Sequence, residues 1–157
     1  MADKNLTLWR RPGFLARRLH QINVALFLEE FQDLRITPVQ WGVMTVVAGA
    51  PGLGHTEIAA QVGIDRVNAA DVLERLEERG LIEQKRNAAD RRQKCAYITG
   101  AGAQLLKENE HRVRRTHARL LKPLDKDEQK IFLALLLRLV EENNDLSRAP
   151  LKADTPA

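Results

Sequence analysis

Between Thr37 and Gly102 the chain carries a helix start or stop signal every few residues, and that punctuation leaves few folds open to it. Thr37-Pro38-Val39-Gln40 opens a helix. Threonine can accept from an orphan amide, proline sits where its missing N–H costs nothing, and Gln40 can reach back to close a capping box. That helix is expected to run to about Ala48, followed by a Gly/Pro-rich loop over Gly49–Gly54. A short helix from His55 to Gln61 ends at Gly63. Asp65 caps the next, which runs to Arg79 and stops at Gly80. Leu81–Arg86 and Cys95–Thr99 are short enough for a two-stranded hairpin, and its long charged tip holds Asp90-Arg91-Arg92-Gln93-Lys94. The expected fold is mainly α with a small β-hairpin wing: a winged helix-turn-helix.

The flanks read as helices. Residues 1–11 form an expected flexible arm. Pro12 then starts a helix over Gly13–Leu34, within a segment 12–36, whose apolar positions Leu15, Leu19, Ile22 and Leu26 are broadened by Val24, Phe27 and Phe31 into a stripe wide enough to be covered on two sides. After the lobe 37–100, a segment 101–146 holds two more helices. Thr99 caps the first, which runs to about Leu121 before Pro123; Asp125 with Glu128 marks the second, over Glu128–Asn143. Residues 147–157 are an expected disordered tail. In the last helix Ile131, Leu135 and Leu139 make one apolar seam, and Phe132, Leu136 and Val140 another. Either these wrap the core of one chain, or two chains pair through Leu15, Leu19, Ile131, Leu135 and Leu139 and bury them. The second reading is preferred, and it would set two recognition helices about 34 Å apart, one turn of DNA.

Composition narrows the function. The chain has 157 residues and a formal net charge of +4, which suits a polyanionic partner. Its single cysteine, Cys95, excludes a disulfide framework within the chain. With no apolar leader and no run near the ~18 apolar residues of a membrane span, a cytoplasmic protein without membrane contact is expected. No His/Cys/carboxylate set has metal-site spacing; His111 and His117, six apart, face different sides of a helix. No nucleophile–base pair or phosphate cradle is visible, so neither an enzyme nor a cofactor is expected.

The Asp65–Arg79 helix has two faces. Ala69, Val72, Leu73 and Leu76 form the apolar one; Arg66, Asn68, Asp71 and Arg75 form the polar one. Near a recognition-helix N-terminus, arginine can pair bidentately with guanine and asparagine with adenine. A plain solvated face is the alternative for this helix alone. The hairpin tip shifts the balance: Lys85, Arg86, Arg91, Arg92 and Lys94 crowd one turn region, uncomfortable without a polyanion nearby, and Asp90 can orient one of the arginines. The candidate DNA-contacting residues are Thr56, Arg66, Val67, Asn68, Asp71, Arg75, Arg86, Asp90, Arg91, Arg92 and Lys94. Asp71 either accepts from a cytosine amino group or, as we prefer, pairs with Arg75 four residues on.

Three stretches together, Leu73-Glu74-Arg75-Leu76-Glu77-Glu78-Arg79-Gly80-Leu81-Ile82, Asp90-Arg91-Arg92-Gln93-Lys94 and Ile98-Thr99-Gly100-Ala101-Gly102, resemble the MarR family of winged-helix regulators. The resemblance extends over nearly the whole chain apart from both tails. It implies a homodimer with interlocked terminal helices on a pseudo-palindromic operator, acting in most members as a repressor that a small ligand releases. The chain departs from the family pattern at Val67 and Asn68, often serine or threonine, at Asp71, often basic, and at Gly100, usually proline. The departures in the recognition helix bear on the operator sequence rather than on DNA binding itself, and the one at Gly100 matters little. Oxidation-sensing members carry a cysteine in the first helix, and this chain has none there.

In that family small molecules bind between the dimer helices and the DNA-binding lobe. Here the first helix offers Arg17, Arg18, His20, Asn23 and Phe27; Trp41 and Met44 follow one turn apart; His111 and Arg115 share a face at i, i+4. A cation, histidines and aromatic walls suit a planar aromatic carboxylate or phenol. Singly, each also has a packing role, Trp41 as core and His20 as a satisfied buried histidine. The stretch Arg11–Gln21 resembles the first helix of members controlling aromatic-acid catabolism, some of which sense the coenzyme A thioester. The reading is therefore a ligand-responsive regulator released by a small aromatic acid, phenol or its coenzyme A thioester, the alternative being a ligand-independent architectural DNA-binding dimer.

Overall fold

Thr37, Asp65, Thr99 and Asp125 each sit just ahead of a helix and each accepts a backbone amide at its start. The structure, a computed structural model, describes residues 7–87 and 93–151. Along them run α1 (Pro12–Glu30), α2 (Pro38–Gly49), β1 (Leu53–Gly54), α3 (His55–Val62), α4 (Arg66–Glu78), β2 (Ile82–Arg86), β3 (Lys94–Ile98), α5 (Gly100–Leu121) and α6 (Lys126–Glu142). The Thr37 box closes as its residues require: Gln40 N donates to Thr37 Oγ1 at 3.2 Å and Thr37 N to Gln40 Oε1 at 3.0 Å. Asp125 and Glu128 form the same reciprocal pair at α6. Gly63 and Gly80 end their helices in the left-handed region, φ 74° and 68°, where a side chain is disfavoured.

The fold is the mainly helical one expected, with two differences in its elements. The hairpin gains a third strand: β1 pairs antiparallel with β3, Leu53 opposite Ala96 and Gly54 opposite Cys95, giving the order β1-β3-β2. Two residues are too few to show an alternating pattern, so only long-range pairing reveals them. The first helix ends at Glu30, four residues before the expected Leu34. Phe31 and Leu34 continue the apolar period, but they turn inward, and Phe31 is fully buried. Arg35 takes a left-handed φ of 49°. The guanidinium of Arg79, from the end of α4, donates to the Leu34 and Arg35 carbonyl oxygens at 2.8 and 3.0 Å and satisfies that turn.

The core lies inside the 37–100 lobe and under α1. Phe31, Ile36, Val43, Met44, Val47, Ile58, Leu73, Leu76 and Ile82 are almost wholly shielded. Phe27 stacks on Phe31 with centroids 4.2 Å apart, and Trp41 meets Phe31 edge-on at 5.0 Å. The start of α5 is pressed onto Gly80 and Leu81, the turn that leads into β2. Thr99 Oγ1 donates to the Gly80 and Leu81 carbonyls, and a Cβ at Gly102 would stand 2.1 Å from Leu81 O. Only glycine permits that approach. By contrast α6 buries none of its residues; Ile131, Leu133, Leu135, Leu137 and Leu139 are each about half exposed or more. The helices therefore do not all wrap the core of one chain.

Both tails take more structure than expected where they are described. Residues 8–10 form a 3-10 turn, and Trp9 meets Phe14 edge-on at 5.2 Å. Asn144 brackets Leu151, accepting from its N–H at 2.8 Å and donating to its carbonyl at 2.9 Å, and Leu151 lies over Gly63. No helix among the described residues is long and apolar enough to cross a membrane.

Candidate nucleic-acid interface and ligand cavity

The two faces of α4 separate as read from the sequence. Ala69, Leu73 and Leu76 are fully buried and Val72 partly, whereas Arg66, Val67, Asn68, Asp71 and Arg75 point to solvent. The exposed row is held in place by local pairs. Asp65 Oδ1 accepts from Asn68 N at 2.9 Å, and the Asn68 carboxamide donates to the other Asp65 oxygen. Asp71 and Arg75 form the i, i+4 ion pair at 3.2 Å. Val67 is 80% exposed and belongs to the same outward row.

Arg66 at the start of α4 shares a cleft of about 560 Å³ with Gly54, His55, Thr56 and Glu57 from the start of α3 and with Gln93 and Lys94 from the wing strand. Helix and wing thus converge on one groove. A relay behind it fixes their relative position. Glu77 of α4 accepts from Gln84 N and Gln84 Nε2 of β2, both at 2.7 Å, and Gln84 Oε1 lies 2.6 Å from His55 Nε2 of α3. None of these three was singled out in the sequence, because polar residues 7 and 29 positions apart give no local signal of contact. Arg86 stands exposed at the end of β2. Lys85 pairs with Glu83, which raises its ammonium pKa above the usual lysine value, and lies over the Tyr97 ring at 5.2 Å. Asp90, Arg91 and Arg92 lie outside the described residues. Cys95 is buried on β3.

A second cavity, about 630 Å³, opens between α1, α2, the end of α3 and α5. Of the expected ligand residues, Asn23, Phe27 and Trp41 line it. Met44 is corrected: it is fully buried in the core, because its turn of α2 faces β3 and α4. His111 and Arg115 are corrected as well. They share a helix face, but that face turns away from the cavity: His111 Nδ1 lies 2.9 Å from Glu108 O and Arg115 pairs with Glu30 at 2.9 Å. Arg17, Arg18 and His20 are exposed on the first half of α1, Arg17 over the Phe14 ring at 5.6 Å and Arg18 donating to Gln21 at 2.9 Å. His20, exposed, is not a buried core histidine. In place of the pair at 111 and 115, α5 presents Glu110, Val113 and His117, spaced by three and four residues along one stripe, a pattern legible in the sequence once the direction of the helix is known.

A model described as MarR family matches residues 36–93, the span from the first core isoleucine to the wing tip. The structure resembles that of the PcaV transcriptional regulator from Streptomyces coelicolor, solved in complex with its natural ligand: TM-score 0.78 and 30% identity, over 88% of this chain and 98% of that one. The chain belongs to the MarR family. This MarR-family protein is accordingly a transcriptional regulator. It is also similar to the repressor CouR bound to a 23-mer DNA duplex, with a TM-score of 0.79 and 28% identity over 87% of this chain and 99% of that one. A protein assigned as the transcriptional regulator for the hcr operon of Thauera aromatica is 32% identical over 110 residues, which span 70% of this chain and 66% of that protein.

Proposed function

We propose that this protein regulates transcription as a homodimer that grips a pseudo-palindromic operator and lets go when a small aromatic acid, phenol or related thioester enters its second cavity. The observation that carries the reading is the convergence of Arg66 from α4 and Lys94 from the wing strand on one groove. A helix-borne guanidinium suits a guanine edge, and a wing ammonium suits the neighbouring phosphates. Asp71, engaged by Arg75, leaves base contact to Arg66, Val67 and Asn68. Thr56, at the exposed start of α3, is placed for a phosphate contact; Arg86, Asp90, Arg91 and Arg92 complete the wing set. CouR, a repressor of similar structure, is bound to DNA, which supports the same use of this surface here.

The exposed seam of Ile131, Leu135 and Leu139 on α6, with Leu15 half-exposed on α1, supports pairing of two chains, since contiguous apolar faces of this size are covered in stable proteins. Between those helices and the lobe lies the cavity lined by Asn23, Phe27 and Trp41. His20 stands one turn before Asn23, with Arg17 and Arg18 beyond it, as cations at its approach.

The test is fluorescence anisotropy of the purified protein on DNA from its own upstream region, at physiological salt, with aromatic acids and their coenzyme A thioesters titrated into the complex. Release by one compound is the expected result. Binding that does not distinguish the upstream DNA from unrelated sequence would replace the regulator by an architectural protein, because specific sites are preferred by ~10³-fold or more.

A further inference from the structure

The relay from Glu77 through Gln84 to His55 has a direction, and chemistry fixes it. An ionised carboxylate only accepts hydrogen bonds. Glu77 accepts from Gln84 N and from Gln84 Nε2, both at 2.7 Å. The carboxamide nitrogen of Gln84 is therefore turned to α4, and its oxygen is turned to α3. That oxygen lies 2.6 Å from His55 Nε2. It has no proton to give, so Nε2 carries the proton of this bond. The neutral ring then holds its lone pair on Nδ1.

Nδ1 makes no hydrogen bond among the described residues. His55 is half-buried, and no unpartnered side-chain nitrogen or oxygen is buried among the described residues, so Nδ1 reaches solvent. His55 lines the cleft that Arg66 and Lys94 share. The charged groups around the ring come from four elements. Glu57, on its own helix, accepts from Gly54 N at 2.8 Å. From α4 come Arg66 in the cleft and Glu77 behind Gln84. From β3 comes Lys94, which stands opposite Arg86 of β2. Both carboxylates thus have donors already. The Arg66 guanidinium and the Lys94 ammonium form no ion pair with a described residue. What the cleft lacks is an anion.

We infer that His55 contacts a DNA phosphate through Nδ1, that Glu77 and Gln84 are the positioning residues that hold its ring for that contact, and that the contact takes up a proton. This rests on the proposed DNA surface and adds to it one residue and a dependence on pH. Phosphate oxygens only accept, and the lone pair of a neutral Nδ1 would face them with like polarity. A second proton makes both ring nitrogens donors. Nε2 still donates to Gln84, and Nδ1 donates to the phosphate in a charge-assisted bond. The incoming anion itself favours the charged ring. The proton comes from solvent. The complex therefore binds more protons than the separate molecules do, and affinity rises as pH falls.

Fluorescence anisotropy of the full chain tests this at constant ionic strength on two duplexes, its own upstream DNA and an unrelated sequence of equal length. The advantage of wild type over His55→Gln should lie within about threefold at pH 8 and grow by about fivefold or more at pH 6, because histidine changes charge between these values and glutamine does not. It should appear on both duplexes, since phosphates are common to every sequence, and at pH 6 the wild type should show the steeper salt dependence. Glu77→Gln can turn a donor toward Gln84 and release the ring, so it should lose most of the pH-dependent advantage. Nitrogen-15 NMR of the histidine side chains should show His55 protonated at Nε2 in the free protein at pH 8 and at both nitrogens in the complex at pH 6. An advantage that is the same at both pH values, a free ring protonated at Nδ1 alone, or a Glu77→Gln profile like that of the wild type would each overturn the assignment. Upstream DNA preferred with no pH-dependent advantage strikes His55 and leaves the regulator. A pH-dependent advantage on both duplexes with no preference between them keeps His55 and strikes the regulator. No binding to either duplex overturns both. Equal circular dichroism and melting temperature of the variants exclude misfolding as the cause.

Discussion

Arg112 grips Asp33 with both arms of its guanidinium, Nη1 to Oδ1 at 2.6 Å and Nη2 to Oδ2 at 3.1 Å. The same Nη1 donates to Glu30 O at 2.9 Å, and the guanidinium carbon lies 5.9 Å from the centroid of the Phe31 ring. One side chain of α5 thus holds the turn where α1 stops, and that turn leads directly into the capped start of α2. Arg115 and Arg119 continue the seam along α1 through Glu30 and Glu29. This seam ties α5 to the last turn of α1 and to the segment that leads into α2.

The clamp has a pH signature. Its hydrogen bonds and charge hold the Asp33 carboxyl below the usual carboxylate range, and Asp33 in turn raises the Arg112 guanidinium. For a group whose folded pKa is depressed, the stabilisation is complete above the unfolded value of 3.8 and is lost as pH falls through the folded one. Thermal melts from pH 6 down to pH 2 should therefore show the wild type losing its advantage over Asp33→Asn below about pH 4. A gap between the two that stays constant across the range would contradict the clamp.

Gly102 is where α5 meets Leu81, just ahead of β2, and Ile98 at the end of β3. Its Cβ would fall 2.1 Å from Leu81 O and 2.6 Å from Ile98 Cδ1, so Gly102→Ala must push helix and strand apart. The expected destabilisation is about 1–3 kcal/mol, read from urea unfolding. Gly100→Ala, where nothing lies within 4 Å, serves as the control and should be near neutral or slightly stabilising.

At the proposed DNA surface, Arg66→Ala should cost about 1–3 kcal/mol and relax base preference, while Lys94→Ala should chiefly reduce the salt dependence of binding. Competition anisotropy against operator variants separates them. An equal loss on every sequence would make Arg66 a phosphate contact.

For the pairing seam, Leu135→Asp should yield a monomer in sedimentation equilibrium, because a carboxylate would be placed in the middle of an apolar row. An unchanged mass would move the interface off this face.

Much of this fold was legible along the chain, and for a local reason. Thr37, Asp65, Thr99 and Asp125 act on amides two or three residues away, and Gly63 and Gly80 act through their own backbone angles, so their consequences follow wherever the rest of the chain goes. The buried and exposed faces of α4 were equally readable, since helical period alone places Leu73 and Leu76 opposite Asp71 and Arg75. Three-dimensional packing decided what lay between elements. Phe31 and Leu34 keep a helical period but turn into the core, and Arg79, 44 residues from Arg35, caps the turn they make. Met44 and His111 had suitable chemistry but the wrong direction, whereas Glu110 and His117 face the cavity only because Arg112, Arg115 and Arg119 lock the neighbouring stripe of α5 against α1. A cap or a helical stripe depends on spacing within one segment; which stripe faces a cavity depends on how two segments dock, and that is set by contacts between residues roughly 80–90 positions apart, for which neighbouring sequence carries no signal.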